Sequence, residues 1–109
     1  MPYRQLLHEL AGQIADRLGF PWVSRVPQFE LNEGYLGQGY GIPGKLEREA
    51  ISLLARSEGV LLDPVYTGRA MGGLLDMVRS GIIAASETVL FWHTGGSPAI
   101  FAYPPEIFL

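Results

Sequence analysis

Two short apolar runs, separated by a segment with helical periodicity, most constrain what this chain can fold into. The first run, Val60–Leu62, is predicted as a short buried strand. The nearly unbroken apolar character of the second, Thr88–Trp92, is typical of a strand covered on both faces. The segment between them repeats apolar residues at helical spacing: Met71, Leu74, Leu75 and Val78. Because helices connect neighbouring parallel strands, this order predicts an α/β fold with an open, mostly parallel sheet and flanking helices.

Two more helices are predicted upstream, over residues 3–18 and 43–57, ending near Gly19 and Gly59. In the second helix the charged side chains, Glu47 among them, are predicted to face outward. Residues 22–31 contain prolines that interrupt a ladder, which favours an edge strand or extended segment. With 109 residues, the chain has room for one domain over residues 1–109.

Three glycine-containing loops are the candidate site segments. Ligands of parallel sheets bind at the carboxyl ends of strands, where Asp63–Gly68 and His93–Gly96 fall. Thr94 and Gly95 also lie in a possible anion-binding nest of backbone amides, although that signal alone is weak. The third segment, Gly34–Gly44, holds five glycines and two tyrosines but does not match a phosphate-binding loop. From its pattern alone, a purely structural loop is the more frequent interpretation.

Composition excludes several classes of function. Eight scattered cations against eleven acidic residues argue against binding of nucleic acid, and the absence of cysteine excludes a disulfide scaffold and a thiolate metal site. His93 has only His8 as a second histidine, so no metal site is predicted. No apolar run is long enough to span a membrane, and without a signal peptide the expected location is cytoplasmic. The only lysine, Lys45, is interpreted as a solvated side chain at a helix start.

Three segments, in order, resemble the C-terminal third of the D-cysteine desulfhydrase and 1-aminocyclopropane-1-carboxylate (ACC) deaminase family. They are Glu33–Pro43, Glu58–Met71 and Leu90–Ala99. The resemblance implies the C-terminal part of a longer enzyme of the tryptophan-synthase-β type, or fold type II, with pyridoxal 5'-phosphate (PLP) as its cofactor. In that family the Schiff-base lysine and the phosphate loop belong to the N-terminal part, which implies that neither is present in this chain.

The resemblance also implies roles for individual residues. Tyr40 and Tyr66 are the catalytic candidates, Tyr40 on a substrate-side loop and Tyr66 beside the PLP ring and the substrate. Tyr66, Thr67, Thr94 and Gly95 are the cofactor-binding candidates, with the Thr94 hydroxyl facing the pyridine nitrogen. At two positions this chain differs from the ACC deaminases, which carry Glu in place of Thr67 and Leu in place of Thr94. Both differences favour the desulfhydrase branch of the family.

Two functions are therefore expected as alternatives. The first is a PLP-dependent lyase that eliminates sulfide from D-cysteine, giving pyruvate and ammonia, when an N-terminal partner chain supplies the missing lysine and phosphate loop. The second is a truncated, non-catalytic module without PLP chemistry that folds by self-association as a homo-oligomer. The low charged fraction, 17%, is consistent with a surface that a partner covers in either case.

Overall fold

The computed structural model describes residues 2–20 and 30–108 and divides the chain into two compact units, Met1–Glu33 and Gly34–Leu109. Most of the extended segment predicted for residues 22–31 lies outside the described residues. The assignment of residues 1–109 to a single domain stays a prediction.

The first unit contains helix α1, Pro2–Leu18, which confirms the helix predicted over residues 3–18. Its end follows from Gly19, whose φ of 68° lies in the left-handed region that glycine adopts without steric cost. The Gly19 amide donates to the carbonyl of Asp16 at 3.2 Å, so the turn that ends the helix is closed by its own backbone.

The second unit is built on a pair of packed helices, α2 over Lys45–Glu58 and α3 over Thr67–Arg79. Both were predicted from their apolar periodicity. Two short 3₁₀ helices follow, Ser97–Ala102 and Pro105–Ile107. The buried core consists of Ala50, Ile51, Leu62 and Met71, with Leu54, Leu74, Leu75, Phe91 and Phe108 packed against it.

The two helices approach closely because α3 has glycine where α2 projects a large side chain. A Cβ atom placed on Gly72 would overlap the side chain of Leu46. One placed on the next residue, Gly73, would lie 3.0 Å from the ring of Tyr35. The backbone of α3 therefore serves as the packing surface on this side of the helix.

The predicted open, mostly parallel sheet is wrong for the described part of the chain, in which no residue belongs to a β-strand. A strand requires backbone pairing with a neighbour, and the run Val60–Leu62 does not form it. The carbonyl of Leu61 instead accepts hydrogen bonds from side chains, His93 Nε2 at 2.9 Å and Ser97 Oγ at 3.1 Å. The first run is thus connected to the segment that follows the second run by side-chain hydrogen bonds and not by a β-ladder.

Burial of the two runs is one-sided, which also corrects the prediction of a buried strand in the first and of a strand covered on both faces in the second. Leu62 is fully buried while Leu61 is 54% exposed. In the second run Phe91 packs on the core, whereas Leu90 and Trp92 on either side of it are 83% and 78% exposed. The prediction of burial is therefore correct for Leu62 and Phe91 and wrong for the exposed neighbours of each. Apolar composition alone does not distinguish the two sets.

We expect Gly72→Ala to lower the free energy of unfolding by about 1–3 kcal/mol, since the added methyl forces the two helices apart or displaces Leu46. Urea denaturation followed by circular dichroism measures this change. The matched control is Gly12→Ala in α1, where a Cβ meets nothing within 4 Å. Equal stability of the Gly72→Ala and unmodified chains would contradict the proposed close contact.

Candidate active site

The turn before α3 is organised by the carboxylate of Asp63, which is 1% exposed. Its Oδ2 accepts hydrogen bonds from the amides of Val65 and Tyr66, at 2.8 and 2.7 Å. Its Oδ1 accepts from the amide and the hydroxyl of Thr67, at 2.8 and 2.6 Å. A negative charge at this helix start is also stabilised by the helix dipole. The carboxylate therefore fixes the backbone of Tyr66, a predicted site residue.

The hydrogen bonds determine the ionisation of Asp63. Burial on its own raises the pKa of this carboxyl group, but the hydrogen bonds from Thr67, Tyr66 and Val65 outweigh burial and hold the pKa below its ordinary value of 3.8. The side chain is therefore a carboxylate at neutral pH, and its charge is balanced by donors rather than by a cation.

The structure brings the two predicted catalytic residues, Tyr40 and Tyr66, into contact. Their hydroxyl groups form a hydrogen bond, and their rings meet edge to face with centroids 5.9 Å apart and an interplanar angle of 69°. Both side chains are exposed, Tyr40 at 78% and Tyr66 at 59%. The hydrogen bond between the two hydroxyl groups is the main cause of a raised pKa at Tyr66.

Arg69 holds the glycine-rich loop that carries Tyr40. Its guanidinium donates to the carbonyls of Leu36, Gly39 and Ile42, at 2.5, 3.3 and 3.1 Å. Its Nε donates to Oε1 of Glu47 at 2.6 Å. Neither Arg69 nor the loop carbonyls were singled out from the sequence, because these partners lie 22 to 33 residues apart along the chain.

Glu47 is 3% exposed, so the prediction that it faces outward is wrong. Besides accepting from Arg69, its Oε2 accepts from the amide of Gly44 at 2.7 Å and caps the start of α2. Burial on its own raises the pKa of this carboxyl group, but the hydrogen bonds from Arg69 and from backbone amides lower it below its ordinary value of 4.5. A Glu in the first turn of a helix is a capping signal that could have revealed the local contact.

The segment with Thr94 and Gly95 lies against Asp63. A Cβ placed on Gly96 would be 3.1 Å from the Asp63 carboxyl carbon. His93 fixes the segment, since its Nε2 bonds the Leu61 carbonyl and its Nδ1 accepts from the Gly95 amide at 3.0 Å. These contacts match the neutral tautomer with hydrogen on Nε2. The side chain of Thr94 is exposed.

Thr67, another predicted cofactor-binding residue, is 2% exposed. Its hydroxyl donates to Asp63 Oδ1 and accepts from the Asp63 amide at 2.8 Å, so both of its hydrogen-bonding functions serve the turn. The structure thus pairs Tyr40 with Tyr66, places Thr67 behind the turn and sets the Gly95 amide against His93. The roles predicted for these residues in binding and catalysis stay predictions.

No group of three or more His, Cys, Asp or Glu side chains that could hold a metal ion occurs within the described ranges. Among the described helices, none is both long and apolar enough to cross a membrane.

Comparison with known proteins matches residues 3–95 to the model of a family described as pyridoxal-phosphate dependent enzymes. The chain is 43% identical over 102 residues to a D-cysteine desulfhydrase of Salmonella typhi, and equally to one of Salmonella newport (strain SL254). Each match covers 94% of this chain and 29% of the relative, whose C-terminal part it is. The resemblance inferred from the sequence is thereby confirmed at the level of the desulfhydrase, whereas the ACC deaminase branch is not represented in these matches.

Tyr66 and Thr94 are exposed residues with hydroxyl groups, the type of group that can bond the phenolic oxygen or the pyridine nitrogen of a PLP ring. The starts of α2 and α3 do not suit its phosphate, because Glu47 caps α2 and Asp63 caps α3 with negative charge. The side chain of Lys45 is 89% exposed and pairs with Glu49 at 3.6 Å, which does not suit a covalent anchor.

We expect Asp63→Asn to destabilise the chain at neutral pH by about 1–3 kcal/mol, because the amide nitrogen leaves buried donors unpaired. Since the pKa of Asp63 is lower in the folded chain, its ionised form stabilises the fold above pH 3.8, and this contribution is lost as the pH falls through the folded pKa. Urea titrations should show a difference in the free energy of unfolding between Asp63→Asn and the unmodified chain at pH 7. The difference should become smaller at pH 2.

The control for this experiment is Asp16→Asn on the exposed surface of α1, which we expect to change stability by less than about 0.5 kcal/mol. A constant difference between Asp63→Asn and the unmodified chain at both pH values would contradict the role of the charge.

Proposed function

Because the chain belongs to the family of pyridoxal-phosphate dependent enzymes, we propose that it supplies part of the active site of a PLP-dependent lyase. The proposed reaction is β-elimination of sulfide from D-cysteine, or of the leaving group from a similar β-substituted amino acid, followed by hydrolysis of the unsaturated product by water to pyruvate and ammonia. The observation that carries the proposal is the exposed pair of Tyr40 and Tyr66, at the turn ordered by Asp63. The names of the curated relatives support the choice of substrate.

The proposed division of labour assigns the covalent chemistry to the cofactor and binding and proton transfer to this chain. Bound PLP supplies an electron-withdrawing ring that stabilises negative charge at the substrate α-carbon. The proposed role of Thr94 is to bond the pyridine nitrogen. A hydroxyl group is too weak an acid to keep that nitrogen fully protonated, which suits the elimination of a good leaving group. An ACC deaminase activity, which opens an unactivated ring, is less compatible with Thr at this position.

Tyr66 is the proposed proton donor. When the C–S bond breaks, the electron pair leaves with sulfur, which then takes up a proton. Like any tyrosine, Tyr66 carries its proton at neutral pH, so the phenol can bond the substrate carboxylate or protonate the leaving sulfur. Tyr40 is hydrogen-bonded to Tyr66 and is 78% exposed. It can therefore pass a proton from solvent to Tyr66 after Tyr66 has given up its own.

The proposal requires a second chain or segment, because this chain spans 29% of the length of the curated relatives it matches. That partner would supply the lysine and the phosphate loop and accept the α-proton. Exposed apolar side chains support such a partner: Leu90, Trp92 and Phe101 are 83%, 78% and 92% exposed. The same side chains also support the alternative of a non-catalytic module that self-associates. The cytoplasm is the proposed location for either.

Mixing this chain with the N-terminal part of the Salmonella typhi D-cysteine desulfhydrase, up to the matched 102 residues, tests the proposal. We expect the mixture to develop the visible absorbance of bound PLP and to release sulfide from D-cysteine, while neither part does so alone. In the mixture, Thr94→Ala should weaken PLP binding about two- to tenfold, the value of one net hydrogen bond.

Thr88→Ala is the matched control, since Thr88 is also exposed but lies outside the proposed site. A mixture without PLP absorbance or sulfide release would contradict the lyase proposal. Equilibrium sedimentation of the chain alone tests the alternative, which a monodisperse monomer at tens of micromolar would contradict.

A further inference from the structure

The loop that carries Tyr40 is held mainly by the side chain of Arg69. Its three carbonyl partners, Leu36, Gly39 and Ile42, lie on both sides of Tyr40 in sequence. Arg69 itself is only three residues beyond Tyr66, in the first turn of α3. A single guanidinium therefore connects the element that carries one tyrosine with the loop that carries the other.

Glu47 fixes the orientation of this guanidinium. The side chain of Glu47 is 4% exposed and that of Arg69 is 17% exposed, so the pair is largely removed from water. The second carboxylate oxygen of Glu47 is held by the Gly44 amide, at the point where the loop enters α2. The planar guanidinium thus has its Nε committed to Glu47 and its two terminal nitrogens directed at the loop.

The loop needs such a constraint because its own sequence supplies little. Gly37, Gly39 and Gly41 have φ angles of 65°, 155° and 71°, conformations that are available to glycine but that an unrestrained glycine-rich chain does not select. Apart from Arg69, the hydroxyl of Tyr103 donates to the carbonyl of Gly41 at 2.8 Å. Arg69 thus bonds three carbonyls of the loop, whereas Tyr103 and Arg48 bond one each, at Gly41 and Gly44.

We propose that Arg69, oriented by Glu47, is a positioning residue that sets Tyr40 against Tyr66. It touches neither hydroxyl group and acts through the loop backbone. This inference rests on the proposed function for its relevance to catalysis. The contact between the tyrosines is nevertheless measurable in the chain alone, without cofactor or substrate.

The test is NMR spectroscopy of the full chain with ¹³C-labelled tyrosine rings and methionine methyl groups. We expect Arg69→Lys to abolish the ring-to-ring NOE between Tyr40 and Tyr66. It should also bring the Tyr66 ¹³Cζ shift at pH 7, and its pKa, to the values found in a Tyr40→Phe reference. The compact ammonium of lysine cannot replace a fork that bonds one carboxylate and three carbonyls. Glu47→Gln should weaken the NOE between Tyr40 and Tyr66 and shift the Tyr66 signal in the same direction, but by a smaller amount.

The control is Arg79→Lys, at an exposed position on the same helix, which should leave the NOE and the Tyr66 shift unchanged. The methyl signal of Met71, a core residue, reports whether the fold is intact. An intact Met71 signal with the tyrosine contact retained in Arg69→Lys would overturn the proposal. So would loss of the Met71 signal, since it would assign Arg69 to the core rather than to the loop. Failure of the complementation experiment would leave either result unaffected.

Discussion

The buried carboxylate of Asp63 accepts four hydrogen bonds, and the positions of two separate segments depend on it, the turn that begins α3 and the segment that contains Gly96. It satisfies the amides that begin α3, it holds the backbone of Tyr66, and it is the surface against which Gly96 packs. Its negative charge has no cation beside it among these contacts and is stabilised by backbone and hydroxyl donors alone. Because the donors come from the turn itself, the turn is locally determined.

A second buried carboxylate, that of Glu47, caps the start of α2 in a similar way. Unlike Asp63, it also bonds a side chain that is distant in sequence. It caps its own helix through Gly44 and, through Arg69, reaches the loop of Tyr40. Both helix starts that face the candidate site are thus occupied by charges of this chain. A ligand phosphate would meet repulsion at either of them.

The local features of the fold were predictable from the sequence. Apolar spacing predicted the three α-helices of the described residues, and Gly19 and Gly59 marked the ends of two of them, because these signals act within one or two turns of chain. The absence of strand pairing at Val60–Leu62 was not predictable, since pairing depends on which neighbour is available and not on the composition of the run. Family resemblance selected Tyr40 and Tyr66, which the structure places in contact. Arg69 was missed because its partners are distant in sequence and are backbone atoms, which leave no trace in residue type.

The alternation around Phe91, with one side chain inward and its two neighbours outward, has a consequence for how the chain behaves outside an assembly. Leu90 and Trp92 are exposed to water, and the backbone between them forms no β-ladder within the described residues. A segment of this kind lowers its free energy when it pairs with the edge of a complementary β-strand. Leu90 and Trp92 therefore give the chain an exposed apolar surface, and any assembly that covers it gains the free energy of burying these side chains.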